Sequence, residues 1–224
     1  MSFQPKKNPN PQGKGLVPVL ADWASTRPME FRARSSADLL FDWFVSTLVL
    51  SADFSFKPVV GQQYYLYLGG EVWSLSLIAP HEWHRLRSPK CLARCELLPD
   101  MTWAMRPLEG LEPDQELLGS LRARLEAFLT ELDSDQPLEQ ALPGYRRDIP
   151  YYARMLATAL GTSLRASAGA QSYEDRRSNG ADLQSVAKNA SENAPQSVLS
   201  LPARELRIAA QEQLSERLLL LAKK

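Results

Sequence analysis

Residues 62–78, QQYYLYLGGEVWSLSLI, decide the fold that this sequence can adopt. Tyrosine, leucine, valine and tryptophan dominate both sides of Gly69 and Gly70, which is typical of two β-strands joined by a tight turn. Glycine can adopt the positive φ angles that a two-residue hairpin turn requires. Placing both glycines in the turn pairs Leu68 with Glu71, so the segment predicts an antiparallel hairpin.

Side chains alternate along a strand, and this alternation divides the predicted hairpin into two faces. The face that we expect to lie in the core carries Tyr64, Leu66, Trp73, Leu75 and Leu77. The opposite, amphipathic face carries Tyr65, Tyr67, Val72, Ser74, Ser76 and Ile78. Rings and hydroxyl groups on one face can orient a polar ligand, so the candidate binding residues of this face are Tyr65, Tyr67, Ser74 and Ser76.

The sequence on both sides of the hairpin predicts an α+β domain. Further strands are predicted around residues 92–98 and 101–105, which would complete a small antiparallel β-meander of three to four strands. Leucine and aromatic residues recur at helical spacing in residues 35–50, 113–132 and about 149–164. We therefore expect a meander flanked by helices.

The two ends of the chain differ in composition from this domain, which we place at residues 30–165. Residues 1–29 are rich in proline near their start and predict an extended arm. Residues 166–200 are rich in serine and alanine and poor in large apolar side chains, which predicts a disordered linker. Residues 201–224 regain helical periodicity with a leucine stripe, which predicts a C-terminal amphipathic helix.

Length and charge exclude several classes of protein. The 224 residues suffice for one core, and 26 basic residues balance 26 acidic ones, so no overall positive field favours nucleic acid. Residues 108–140 hold nine acidic and two basic residues and predict an acidic surface. The polar start of the chain lacks a secretory signal, no apolar run is long enough to span a membrane, and we expect a cytoplasmic protein.

The two histidines and two cysteines lie within 15 residues, as His81, His84, Cys91 and Cys95. Zinc binds such side chains, but three residues between two cysteines of one strand make poor geometry for a metal. We expect buried free thiols and no metal. No phosphate-binding loop, nucleophile elbow or dinucleotide motif is present, so the sequence predicts neither a cofactor nor a catalytic residue.

Several residues around the hairpin form a pattern that is similar to a known family. They are Lys57, Pro58, Gly61, Tyr64, Leu66, Tyr67, Ser76, Pro80, Glu82, Trp83, Leu97, Asp100 and Trp103. This pattern, within about residues 54–103, resembles the uncharacterised family known as domain of unknown function 2452, and residues 8–20 resemble its amino-terminal arm. The family has no established activity, so the resemblance supplies no catalytic residues to carry over and implies only a small domain with a strand core.

The sequence therefore favours a non-enzymatic, cytoplasmic protein-interaction or adaptor protein with an unidentified protein partner. We expect the partner to contact the arm at residues 8–20, including Lys14, and the leucine stripe of the C-terminal helix. Glu82 and Trp83 are candidate contact residues that can also close the end of the hairpin. The alternative is a small-molecule or RNA-binding domain, or an enzyme, that uses the amphipathic face, with Arg85, Arg87, Lys90 and Arg94 nearby in the sequence.

Overall fold

The computed structural model describes residues 16–83, 89–108, 114–178 and 198–221, and it confirms the α+β class. The six helices of these residues are α1 (Leu16–Ser25), α2 (Ser36–Leu50), α3 (Gln115–Glu131), α4 (Leu138–Ala141), α5 (Tyr151–Ser178) and α6 (Ala203–Leu221). The four strands are β1 (Gln63–Gly69), β2 (Val72–Ser76), β3 (Lys90–Leu97) and β4 (Trp103–Arg106). Within these residues, no helix combines the length and the apolar character that crossing a membrane requires.

The four strands form one antiparallel sheet, but its order is β2-β1-β3-β4 and not the sequential order of the predicted meander. Strand β1 takes a central position because its residues from Tyr64 to Leu68 are buried or half-buried on both faces. Strand β2 carries Ser74 and Ser76 and lies at the edge. The chain between β2 and β3 is long enough to pass β1 before pairing with it.

The hairpin turn lies one residue further along the chain than predicted. Gly69 pairs with Val72, and Gly70 takes the positive φ of 65° at the first position of the two-residue turn. Tyr65 consequently pairs with Ser76. This shift of two residues in the pairing leaves the strand residues up to Ser76 on their predicted faces, because the side-chain period of a strand is two.

Leu77 is the exception on the face that was predicted to lie in the core. Strand β2 ends at Ser76, so Leu77 is not held over the helices, and 52% of its surface is exposed. The other core-face residues of the hairpin are confirmed as buried.

Helices α2 and α3 begin where their sequence predicts. The Ser35 hydroxyl accepts a hydrogen bond from the backbone N–H of Asp38, and the Asp114 carboxylate accepts one from Glu116. These side chains satisfy backbone donors that have no partner in the first turn of a helix.

The prediction of an extended arm is wrong for residues 16–25, which form α1. Pro18 is the third residue of this helix, where a backbone N–H would have no partner within the helix, so proline is tolerated there. The Asp22 carboxylate pairs with Lys57 (Oδ1–Nζ 2.5 Å), and the Trp23 ring stacks on Tyr145. Residues 1–15, with Lys14, lie outside the described residues.

The predicted linker is also wrong in its first part, because α5 continues from Tyr151 to Ser178. Alanine, arginine and glutamine in this stretch favour a helix although they offer few large side chains to a core. Ser167 and Ala168 are nevertheless buried. Residues 179–197 lie outside the described residues.

Helix α6 packs inside the same chain and mainly against α2. Its stripe is buried in the common core and consists of Ala203, Leu206, Ala210, Leu214 and Leu218. The ion pair between Arg217 and Asp38 (2.8 Å) fixes it to the start of α2. The expectation that this stripe binds another protein is therefore wrong: a single helix is marginal in water, and α2 offers it an apolar face within reach.

The acidic segment 108–140 pairs with basic residues from elsewhere in the chain. Five of its acidic residues make ion pairs: Asp114 and Glu116 with Lys90, Asp133 with Arg207, Asp135 with Arg204, and Glu139 with Arg165. Each exposed pair stabilises the fold by only about 0–1 kcal/mol, but together they remove much of the local excess of negative charge.

Gly161 of α5 gives a sharp test of how closely the loop after α4 packs on α5. A Cβ atom at this position would lie 1.9 Å from the Pro143 carbonyl oxygen. We expect Gly161→Ala to lower the free energy of unfolding by about 2 kcal/mol or more, because a backbone segment must move. Urea denaturation measures this change.

Gly169 in the same helix is the matched control, because nothing lies within 4 Å of an added Cβ there. Gly169→Ala should raise the free energy of unfolding by up to about 1 kcal/mol, since alanine favours a helix over glycine. Equal effects of the two substitutions would contradict the close packing at Pro143.

Candidate functional site

The amphipathic face of the hairpin is partly closed by the chain that follows β2. Tyr67 is fully buried, its hydroxyl donates a hydrogen bond to the Ile78 carbonyl oxygen (2.6 Å), and the Trp83 ring packs edge-on against it at 5.6 Å. Burial raises the pKa of the Tyr67 hydroxyl well above its usual value. Tyr67 is therefore placed inside the fold and is not displayed to a ligand.

Glu82 and Trp83 take structural positions in this closure. The Glu82 carboxylate accepts a hydrogen bond from the backbone N–H of Ala79 (2.7 Å), which fixes the 3₁₀ turn Pro80–Glu82. This turn brings Trp83 over Tyr67. Glu82 and Trp83 belong to the pattern that resembles the known family, and in this structure they hold the turn in place.

Three predicted residues of this face remain half-buried: Tyr65, Ser74 and Ser76. Tyr65 stands directly between Ser76 of β2 and Arg94 of β3. Ser76 accepts a hydrogen bond from the Ile78 backbone N–H (3.0 Å), which leaves its hydroxyl proton free to donate. Tyr65 and Ser76 therefore lie side by side and are partly exposed, whereas Tyr67 is fully buried.

The two cysteines lie on opposite faces of β3. Tyr64 pairs with Cys95 and Leu66 with Ala93, but Tyr67 pairs with Cys91, so Leu92 is an extra residue in a β-bulge. Cys91 consequently lies beside Tyr67, while Cys95 lies in the helix-facing core. The pair has no common site for a metal, and the residues that the structure describes contain no group of His, Cys, Asp and Glu that could hold one.

Both thiols are confirmed as free and buried. Burial raises the pKa of the Cys91 thiol to about 12 and that of Cys95 still further above its usual value. Because the thiolate is the reactive form, neither cysteine is set up as a nucleophile. His81 is exposed on the 3₁₀ turn, and His84 lies outside the described residues.

Thiol labelling tests this burial directly. We expect 5,5′-dithiobis(2-nitrobenzoate) at pH 8 to modify fewer than about one in ten of the thiols of the folded protein in an hour, and both thiols at once in 6 M guanidinium chloride. A rapid reaction of one thiol in the folded protein would contradict the burial of both thiols.

A buried arginine ties three separate elements together on the other side of the sheet. The Arg34 Nε donates to the Asp42 carboxylate of α2 (2.7 Å), and its two terminal nitrogens donate to Asp100 and to Ser167 of α5. The Arg34 side chain is 1% exposed. Its charge is therefore neutralised inside the fold, as a buried cation requires.

Asp100 is held in this cluster by a strained turn between β3 and β4. Its carboxylate also accepts hydrogen bonds from the backbone N–H (3.1 Å) and the hydroxyl (2.6 Å) of Thr102. Met101 between them has φ 65°, which costs a non-glycine residue about 1–3 kcal/mol. Burial alone would raise the pKa of Asp100, but the Thr102 hydrogen bonds and the Arg34 charge outweigh it and lower the pKa below its usual value.

Removing the Asp100 carboxylate should leave one terminal nitrogen of the buried Arg34 guanidinium and the buried backbone N–H of Thr102 without their acceptor, and leave Asp42 as the one described carboxylate in contact with Arg34. We expect Asp100→Ala to lower the free energy of unfolding by about 3–5 kcal/mol near pH 7, and Asp148→Ala, which breaks an exposed pair with Arg146, by less than about 1 kcal/mol. Urea denaturation measures both changes.

The Asp100 effect should also depend on pH. Because the folded pKa is lowered, the carboxylate stabilises the fold fully above its unfolded pKa of about 3.9, and this contribution is lost as the pH falls through the folded pKa. The difference between the wild type and Asp100→Ala should therefore shrink between about pH 5 and pH 2. A constant difference over this range would show that Asp100 is not ionised in the folded protein.

A cavity of about 650 Å³ lies among α2, the end of α3, the loop after α4 and α5, and we call it the interhelical cavity. Its apolar lining includes Trp43, Leu50, Phe128, Leu132, Leu142, Ile149 and Leu160. The rings of Trp43 and Phe128 meet edge to face with their centroids 5.4 Å apart. The polar and charged residues of the lining include Thr47, Ser51, Glu131, Ser134, Gln136 and Arg146.

The wall of this cavity after α4 is fixed by contacts of two of its residues, Pro143 and Tyr145. Gly161 lets the backbone of Pro143 approach α5 closely. Tyr145 stacks on Trp23 of α1, and Arg154 of α5 lies over its ring (5.5 Å) and donates to its hydroxyl (3.1 Å). Both residues are thus held by contacts with other helices.

The interhelical cavity could not be predicted from the sequence. Its lining comes from four segments that are far apart in the chain, and each apolar residue reads as an ordinary core position of its own helix. In the sequence, Pro143 and Gly144 after α4 indicate only the start of the next helix. The packing of α5 against Pro143 turns them into a cavity wall.

Comparison of the chain with models of known protein families, with curated proteins and with solved structures found no match in any of the three. The resemblance to the uncharacterised family therefore stays a prediction. Its residues have clear structural roles in this fold: Gly61 has φ 78°, and the Tyr64 hydroxyl accepts a hydrogen bond from the Val59 backbone N–H (2.8 Å).

Proposed function

We propose that this protein is a non-enzymatic binding protein whose ligand is a small, mainly apolar molecule held in the interhelical cavity. The observation that carries the proposal is the cavity itself. Its volume of about 650 Å³ is within the usual range for a small-molecule site, and its floor is built from buried aromatic and aliphatic side chains.

The distribution of polar groups favours an amphipathic ligand. Trp43, Phe128 and Leu160 are buried, so the floor suits a ring or a branched hydrocarbon. Glu131 and Arg146 are exposed and line the same cavity, where they can face the polar end of the ligand. The Thr47 hydroxyl oxygen is buried without a hydrogen-bond partner among the described residues, so this wall also contains an unused polar atom.

Binding is favoured over catalysis by the residues that line the cavity. Arg146 is paired with Asp148 (Nε–Oδ1 3.2 Å), and this pair raises the pKa of its guanidinium further above neutrality. Among the described lining residues, no nucleophile stands beside a base, and such an arrangement is what covalent catalysis requires.

The protein-interaction hypothesis predicted two surfaces for a partner, the arm at residues 8–20 and the leucine stripe of α6, and only the arm stays a candidate. The leucine stripe of α6 is occupied by the core of the same chain, so it offers nothing to a partner. Contact with another protein through residues 8–20 stays a prediction, and the cytoplasmic location stays one as well.

The interhelical cavity should bind N-phenyl-1-naphthylamine, a neutral dye that fluoresces in apolar sites. We expect saturable binding with a dissociation constant of about 10–100 µM. Ala141→Phe should weaken this binding at least tenfold, because Ala141 lines the cavity and a phenyl ring there would fill its volume. Fluorescence titration measures both constants.

Ala127→Phe is the matched control, because Ala127 is exposed on α3 and does not line the cavity. The Ala127→Phe variant should bind the dye with the same affinity as the wild type, and urea denaturation should show that both variants are folded. The proposal fails if the wild type does not bind the dye, or if both substitutions weaken binding equally.

A further inference from the structure

A row of four residues crosses the outer face of the sheet, which is the face directed away from α2. Register places Ser76 of β2 beside Tyr65 of β1, Tyr65 beside Arg94 of β3, and Arg94 beside Arg106 of β4. Neighbouring strands are about 4.8 Å apart, so this cross-strand row spans about 14 Å. Ser76, Tyr65 and Arg94 are half-buried and Arg106 is exposed, so all four reach the surface.

The two arginines of the row stand directly opposite each other. Directly paired residues place their Cβ atoms about 4.5–5.5 Å apart, and like charges there are destabilising. Arg94 makes no ion pair with any acidic residue that the structure describes, and Arg106 contacts Glu96 at the long distance of 3.9 Å. Basic residues elsewhere, such as Lys90 and Arg207, have closer acidic partners. An anion between Arg94 and Arg106 would remove this unfavourable interaction.

The neighbours of the arginines add two features to a site for an anion. The Tyr65 ring offers an aromatic surface one strand away from Arg94. The Ser76 hydroxyl already accepts a hydrogen bond from Ile78, so its proton is available to a ligand. The row therefore presents, in order, a hydrogen-bond donor, a ring and two guanidinium groups.

We propose that the cross-strand row binds a free nucleoside monophosphate. Guanidinium groups match the geometry of phosphate oxygens, so Arg94 and Arg106 hold the phosphate. The base packs on Tyr65, because a nucleotide separates its ring from its phosphate by about one to two strand spacings. This site lies on the opposite side of the sheet from the helices and does not depend on the interhelical cavity.

Isothermal titration of the full chain with 5′-AMP at low ionic strength tests the site. We expect Arg94→Gln to weaken binding at least tenfold, and Arg124→Gln to leave it unchanged. Arg124 is the control because it is an exposed arginine of α3 that makes no ion pair with a described residue. Adenosine, which lacks the phosphate, should bind at least tenfold more weakly than 5′-AMP. Equal affinity for adenosine, or no binding of 5′-AMP, would overturn the proposal.

Three further measurements test the ring, the length of the ligand and the repulsion between the arginines. Tyr65→Leu should weaken 5′-AMP binding and leave the binding of inorganic phosphate unchanged; an unchanged affinity for 5′-AMP would contradict a contact between the ring and the base. A six-residue adenosine oligonucleotide that binds more than tenfold tighter than 5′-AMP would overturn a free nucleotide in favour of single-stranded RNA. Without ligand, Arg94→Gln should raise the urea midpoint, and a lowered midpoint would contradict the repulsion on which the site rests.

Discussion

The constraint on which this fold depends is that α2 is apolar on nearly all sides. Leu39, Leu40, Phe44, Val45 and Val49 are almost completely buried, and together they point in several directions around the helix. Such a helix must be surrounded, and the sheet, α5 and α6 surround it. The stripe of α6 and the long apolar face of α5 are therefore consequences of α2, and neither is free to bind elsewhere.

Burial of α2 also brings the Asp42 carboxylate to the edge of the core, and the Arg34 guanidinium neutralises its charge. Asp42 lies on α2 at the edge of the core, and its carboxylate accepts hydrogen bonds from the buried Arg34 (2.7 Å) and the exposed Arg32 (3.0 Å). Arg34 reaches Asp100 and Ser167 as well, so the neutralised cluster connects α2 with the β3–β4 turn and α5. A buried ion pair adds little stability by itself, but a cluster in which every partner is needed fixes one relative arrangement of these elements.

Local patterns in the sequence predicted those features that depend on interactions between residues close together in the chain. The faces of the hairpin, the starts of α2 and α3 and the burial of both cysteines are confirmed, because each depends on neighbouring residues. The strand order, the length of α5 and the interhelical cavity were missed, because they depend on contacts between distant segments. Such contacts include those of Pro143 with Gly161 and of Arg34 with Ser167, and no spacing along the chain indicates them.

The β-bulge at Leu92 shows how one local irregularity can decide both surfaces of the sheet. If the pairing of Tyr67 with Cys91 continued regularly, Tyr65 would pair with Ala93, and Arg94 would point into the helix-facing core. The extra residue reverses the alternation, so Ala93 and Cys95 enter the core while Arg94 stands beside Tyr65. A regular strand would have buried a charge without a partner. The bulge instead gives the inner face its apolar packing and leaves a cation next to an aromatic ring on the outer face, which is the arrangement that an anionic ligand needs.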